Sequence, residues 1–199
     1  MQITTESIQD HIPYYLTQDA KEKLVEALDG FPRQIEYYIN LFQADILQGD
    51  GWNSLELIRF ENGERKLVKG ILLSNSCDID INNKRDLPPK LTFSPIINLN
   101  SYIGMLANVG LDKDKIEAKV VSIKEQKVST LFYLPKGAGL EEDYIALLDM
   151  AYTLPFPVFA GRNDKQKLFT LSQVGFYLFL LKLSVHFCRF HENIARDQA

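Results

Sequence analysis

Near the start of the chain, apolar residues recur at spacings of three and four. Leu24, Val25 and Leu28 share one face of a helix that Thr17 can cap and that runs to about Asp29. Gly30 and Pro32 end it, and Ile35, Tyr38, Ile39 and Phe42 predict a second short helix. The period then shortens. Leu55, Leu57 and Phe60 mark a strand, Glu61-Asn62-Gly63-Glu64 a turn, and Leu67 to Ser74 the returning strand. Asn-Gly between two apolar runs is a strong hairpin signal. After the polar loop from Asn82 to Pro89, Leu91 to Leu99 reads as a third strand. Pro95 inside it predicts an edge position or a bulge, because proline cannot donate to a sheet ladder.

Ser101 to Lys127 reads as helical, broken near Gly110, with lysines and acids alternating on a wet side. Leu131 to Leu134 is a strand, Tyr144 to Thr153 another, and Leu154-Pro155-Phe156-Pro157 leads out of it. Lys167 to Leu171 is a further strand, and Ser172 can cap a last helix reaching about Asn193. Apolar residues surround that helix, so heavy packing is expected, with Leu178, Leu181 and Val185 buried against protein. The pattern predicts an α+β protein: a small antiparallel barrel or half-barrel with helical additions. Residues 1–43 form an N-terminal helical extension. The barrel occupies 44–199, with a helical insert at 101–127 and a long C-terminal helix at 172–193.

Composition narrows the class. Of 199 residues, 46% are hydrophobic and 24% charged, which fits a folded domain and excludes disorder, collagen and coiled coil. With 22 basic and 26 acidic groups, the net charge of -4 gives no global field for nucleic acid, so any such surface is local. Two cysteines, Cys77 and Cys188, cannot make a disulfide framework, and Met1 to Asp10 has no signal-peptide pattern; a cytoplasmic location is expected. Leu171 to Phe190 is strongly apolar, but Gln173, Lys182 and His186 interrupt it. A packed helix is expected there, and no membrane partner.

Candidate chemistry centres on Ser74-Asn75-Ser76-Cys77-Asp78-Ile79-Asp80, directly after a buried-looking strand. Cys77 could act as a nucleophile with Asp78 nearby. Alternatively the string is a strand-ending turn whose polar side chains satisfy backbone groups, with Cys77 a small buried hydrophobe. Asp78 and Asp80 with Asp149 could hold a cation, but nothing in the sequence brings them together. His186 and Cys188 point about 200° apart on a helix; Cys188 and His191 can share a face, but two ligands are too few for zinc without outside donors such as Cys77. No metal and no cofactor is expected. Arg59, Arg65, Lys66 and Lys69 on the hairpin, and Lys84, Arg85 and Lys90 in the next loop, would form a phosphate-binding surface if that loop folds over the hairpin. Interleaved acids favour an ordinary solvated surface.

The order of segments resembles the MazF/PemK family of small toxin barrels. Ala44-Asp45-Ile46 resembles its opening Gly-Asp-Ile/Val. Gly70-Ile71-Leu72-Leu73-Ser74-Asn75 is similar to its central strand, and Leu91-Thr92-Phe93-Ser94-Pro95-Ile96 to its next strand, which ends in Val-Pro-Ile. Leu147-Leu148-Asp149 with Thr153-Leu154, and Leu171 to Leu183, resemble its later strand and closing helix. The blocks cover about a quarter of the chain. The resemblance implies an SH3-like barrel, a homodimer, single-stranded RNA as ligand, a protein partner encoded nearby, and a bacterial toxin–antitoxin or phage-defence setting. The family cuts RNA without metal, using an arginine before the central strand and a hydroxyl after Pro-Ile. Lys69 stands at the arginine position and Ile97 or Asn98 at the hydroxyl position. Lysine lacks the bidentate guanidinium fork, and neither Ile97 nor Asn98 has a hydroxyl. The expectation is therefore a non-catalytic or degenerate binding protein. The alternatives are an active endoribonuclease using Lys69, with Arg65 or Lys66 as phosphate clamps and a relocated hydroxyl such as Ser74 or Ser94, and a cysteine-dependent enzyme centred on Cys77 and Asp78.

Overall fold

The computed structural model describes residues 35–59 and 61–187. The expected helix from Thr17 to Asp29 lies outside these residues, as does the end of the last helix beyond Phe187. Eight antiparallel strands form one curled, half-barrel sheet with five helices around it: β1 (Tyr38–Ile39), β2 (Gly51–Ile58), β3 (Arg65–Leu72), α1 (Ser76–Ile79), β4 (Lys90–Asn98), α2 (Leu99–Asn108), α3 (Lys113–Lys124), β5 (Leu131–Leu134), β6 (Tyr144–Leu147), β7 (Tyr152–Pro155), α4 (Phe156–Ala160), β8 (Lys167–Leu171) and α5 (Gln173–Phe187). The strand order is β1-β8-β2-β3-β4-β6-β5, and β7 also pairs with β4.

The hairpin is the most local part of this order. Ile58 pairs with Arg65, Gly63 donates its N–H to the Arg59 carbonyl at 2.8 Å, and Gly63 takes φ +70° to close the loop. β2 is kinked by a register shift between Trp52 and Leu55, where Ser54 has φ +56°. The helical insert forms as two helices separated at Gly110, whose φ of +84° suits a residue without a Cβ. Ser172 caps α5 by accepting the Gly175 N–H at 3.0 Å.

Several expectations are corrected. Residues 35–42 are not a helix: Tyr38 and Ile39 pair with Leu171 and Thr170, and Phe42 has φ +58°. The run from Tyr144 to Thr153 is two strands, β6 and β7, pairing with different stretches of β4. Phe156–Ala160 is a short helix with a proline in its first turn, where the missing N–H costs nothing. Pro95 is buried mid-sheet, not at an edge. On one side of β4, β7 pairs with residues 90–93 and β6 with 96–98, so Pro95 stands where one partner gives way to the next and no donor is needed.

The strand faces set the core. Ile71 belongs to a cluster with Ile96, Phe132, Leu178 and Phe179, where α5 packs. Its neighbour Leu72 points the other way, to Trp52, Leu91, Phe93 and Phe159. A third cluster, with Leu99, Ile123, Leu131 and Ile145, lies under α2 and α3. On α5, Leu178 is buried as expected, whereas Leu181 and Val185 are only half-buried. Lys182 is buried and donates to the Gln126 carbonyl. Among the described residues no helix is long and apolar enough to cross a membrane.

Candidate functional site

Lys69 lies on β3 in alternation with Ile71, so its side chain leaves the sheet on the α5-covered face, beyond the edge of the buried cluster. There it meets Tyr144, the first residue of β6. Lys69 Nζ donates to Tyr144 Oη at 3.0 Å and lies 5.0 Å from the ring centroid. Tyr144 is the direct cross-strand partner of Asn98 at the end of β4. Tyr144 therefore adjoins both Lys69 and Asn98, whereas Ile97, the alternative to Asn98 at the hydroxyl position of the resemblance, pairs with Ile145.

Asn98 is held at the N-terminus of α2. Its Oδ1 accepts the N–H groups of Asn100 and Ser101, at 2.8 and 3.1 Å. That fixes the amide, and its Nδ2 donates to Glu142 Oε2. The result is a surface patch of one ammonium, one phenol ring, one committed amide and one exposed carboxylate. It has the parts to stack an aromatic ring, contact a phosphate and accept hydrogen bonds.

The other predicted basic residues do not join it. Arg59 pairs with Glu64 and Arg65 with Glu56, each at 3.1 Å, at the hairpin end of the sheet. Lys66 is exposed beside them. Arg85 instead donates to the Cys77 carbonyl and lies 4.0 Å from Asp78, at the opposite end of β3. Eight strand residues, roughly 23 Å at about 3.3 Å per step, separate the two groups. Lys84 is exposed in the same far loop, and Lys90 opens β4. The loop does not fold over the hairpin.

The string after β3 forms the short helix α1, with the Asn75 side chain accepting the Cys77 N–H at 2.9 Å. The polar side chains satisfy backbone groups, but Cys77 is exposed, not buried. It lines a groove of about 500 Å³ with Ile46, Ile79, Phe156 and Ala160. Among the described residues no histidine or carboxylate bonds its thiol. Asp78, Asp80 and Asp149 are exposed, and no group of three or more metal-binding side chains forms among the described residues; Cys188 and His191 lie outside them. Ser94 is fully buried, with no partner for its hydroxyl among the described residues. Ser74 accepts the Thr92 N–H at 2.7 Å and lies against the Lys90 carbonyl. Neither hydroxyl is hydrogen-bonded to Lys69, whose bond goes to Tyr144.

Sequence reasoning missed Tyr144 and Glu142, which come from 75 and 73 residues beyond Lys69 and carry no local motif. It also missed a buried polar cluster. Asp50 and Lys167 form an ion pair at 2.7 Å, with Lys167 also 5.3 Å from the Trp52 ring. No family model and no curated protein matches the chain.

Proposed function

We propose that this chain is a MazF/PemK-like binding protein that holds single-stranded RNA at Lys69 and Tyr144 without cutting it, in a cytoplasmic toxin–antitoxin or defence setting. The contact of Lys69 Nζ with Tyr144 Oη at 3.0 Å carries this reading. Tyr144 is half-buried, its ring packed partly against the core. A cation beside a partly exposed aromatic is the minimal unit of single-strand recognition, in which the ring stacks a base and the ammonium meets the adjoining phosphate. Cleavage needs a base for the 2′-hydroxyl and an acid for the leaving oxygen. Asn98 offers an amide, which does neither, and its amide is already engaged. The hydroxyls of Ser74 and Ser94 point into backbone contacts or the core.

The test is incubation with a mixed single-stranded RNA pool at two salt concentrations. Binding without cleavage is expected, weakened in Lys69→Ala and Tyr144→Leu. With one phosphate contact, the logarithm of the affinity should fall with a slope of about −0.7 against the logarithm of salt. Metal-independent cleavage lost in Lys69→Ala would establish a nuclease instead. No RNA binding at any salt would leave a protein partner as the ligand.

A further inference from the structure

Resting on the RNA-binding reading, we propose that the patch selects guanine, with Glu142 as the residue that reads the base. Three observations lead there. Glu142 is exposed, so its carboxylate is open to a ligand. One of its oxygens, Oε2, is tied to Asn98 Nδ2, and that amide is itself locked by the two α2 N–H groups on Oδ1. The carboxylate is thus hydrogen-bonded to a side chain that is itself anchored on the α2 backbone. Its other oxygen, Oε1, has no partner among the described residues. The third observation is register: Asn98 is the cross-strand partner of Tyr144, so the residue that bonds the carboxylate adjoins the residue on which a base would stack.

The chemistry then discriminates. A carboxylate only accepts hydrogen bonds. Among the four RNA bases, guanine alone presents two adjacent donors on its Watson–Crick edge, N1–H and the N2 amino group. Those two N–H groups match the two oxygens of a carboxylate much as the guanidinium fork of arginine does. Adenine and cytosine offer one amino group beside an acceptor that the carboxylate repels, and uracil one N–H between two carbonyls. Lys69, which donates to Tyr144 Oη, supplies the phosphate contact and offsets the negative charge that Glu142 brings to the site.

The experiment measures fluorescence anisotropy of labelled uridine hexamers carrying one central guanine, adenine, cytosine or inosine, beside the all-uridine hexamer. A bidentate contact of this kind is worth about tenfold in affinity. The guanine hexamer should bind wild-type protein about tenfold tighter than the adenine, cytosine and uridine ones. Inosine keeps N1–H but lacks the amino group and should fall between. Glu142→Gln, at an exposed position that does not support the core, should bring all five within about twofold while keeping the salt dependence set by Lys69. Equal binding of all hexamers to wild type overturns guanine selection and leaves the RNA reading standing. A guanine preference that survives in Glu142→Gln overturns the role of Glu142. Failure of every hexamer to bind overturns both readings together.

Discussion

Asp50 and Lys167 meet at 2.7 Å with both side chains almost wholly out of water, at 0% and 4% exposure. Lys167 also donates to the Phe42 carbonyl and the Thr170 hydroxyl, and Asp50 accepts the Leu47 N–H. The pair fastens the segment before β2 to β8, which are remote in sequence.

Removing one partner leaves a charge stranded in the core. Lys167→Met should destabilise by about 3–5 kcal/mol in urea unfolding at pH 7, whereas Asp50→Leu combined with Lys167→Met should recover much of the loss. Burial is the largest influence on Asp50 and pushes its carboxyl above the usual range, against the bonds from Lys167 and Leu47. Taking Lys167 away raises it further, and a raised carboxyl is easiest to bury when protonated. The penalty of Lys167→Met should therefore shrink as pH is lowered from 7 to 5. An equal penalty at both pH values would count against a buried charge as its cause.

Lys182 gives a second pH signature of its own sign. Desolvation in the core lowers its ammonium to about 8, from an ordinary value of 10.5. Between those values the unfolded chain keeps a proton that the folded chain has released, so stability rises with pH there. Measured against Lys182→Met, the wild-type protein should gain about 2 kcal/mol between pH 7 and pH 9.5. A flat difference would show that Lys182 reaches water.

Gly70 sits opposite Pro95 in the sheet, and a Cβ there would come within 2.8 Å of both the Ser94 carbonyl oxygen and a Leu55 methyl. The carbonyl belongs to a paired strand and cannot step aside. Gly70→Ala should cost about 1–3 kcal/mol, read as a lower urea midpoint with an unchanged slope. The same substitution at Gly104, where nothing lies within 4 Å, should be neutral or stabilising.

The thiol of Cys77 is exposed on α1, away from the Lys69–Tyr144 patch. Iodoacetamide should label it in the folded protein, as peptide mass mapping would read, with RNA affinity unchanged. Loss of RNA binding on labelling would move the site to the α1 end of the sheet.

Elements bounded by local chemistry were legible in the sequence. Leu131–Leu134 and Lys167–Leu171 match their strands, and Asn62-Gly63 marks the hairpin loop. The misreadings came where distant pairing overrides local spacing. Ile35, Tyr38, Ile39 and Phe42 fit a helical period, yet β8 claims the backbone of Tyr38 and Ile39. Residues 148–151, Leu-Asp-Met-Ala, turn the chain without glycine or proline, so β6 and β7 read as one strand. Half of the candidate site was visible for the same reason. Lys69 and Asn98 stand in recognisable blocks, whereas Tyr144 and Glu142 acquire meaning only when β6 lies against β4.

The exchange of partners at Pro95 makes β4, among the described residues, the one strand shared by the three buried clusters: Leu91 and Phe93 serve one, Ile96 another, and Ile97 borders the third. None of the clusters can open without disturbing the same nine-residue strand. The amides of Phe93 to Ile97 that have hydrogens should then exchange with deuterium only through whole-domain unfolding, while those of α2 and α3 exchange through smaller openings. A sheet that draws on three separate cores thus melts as one unit, because a single strand is common property.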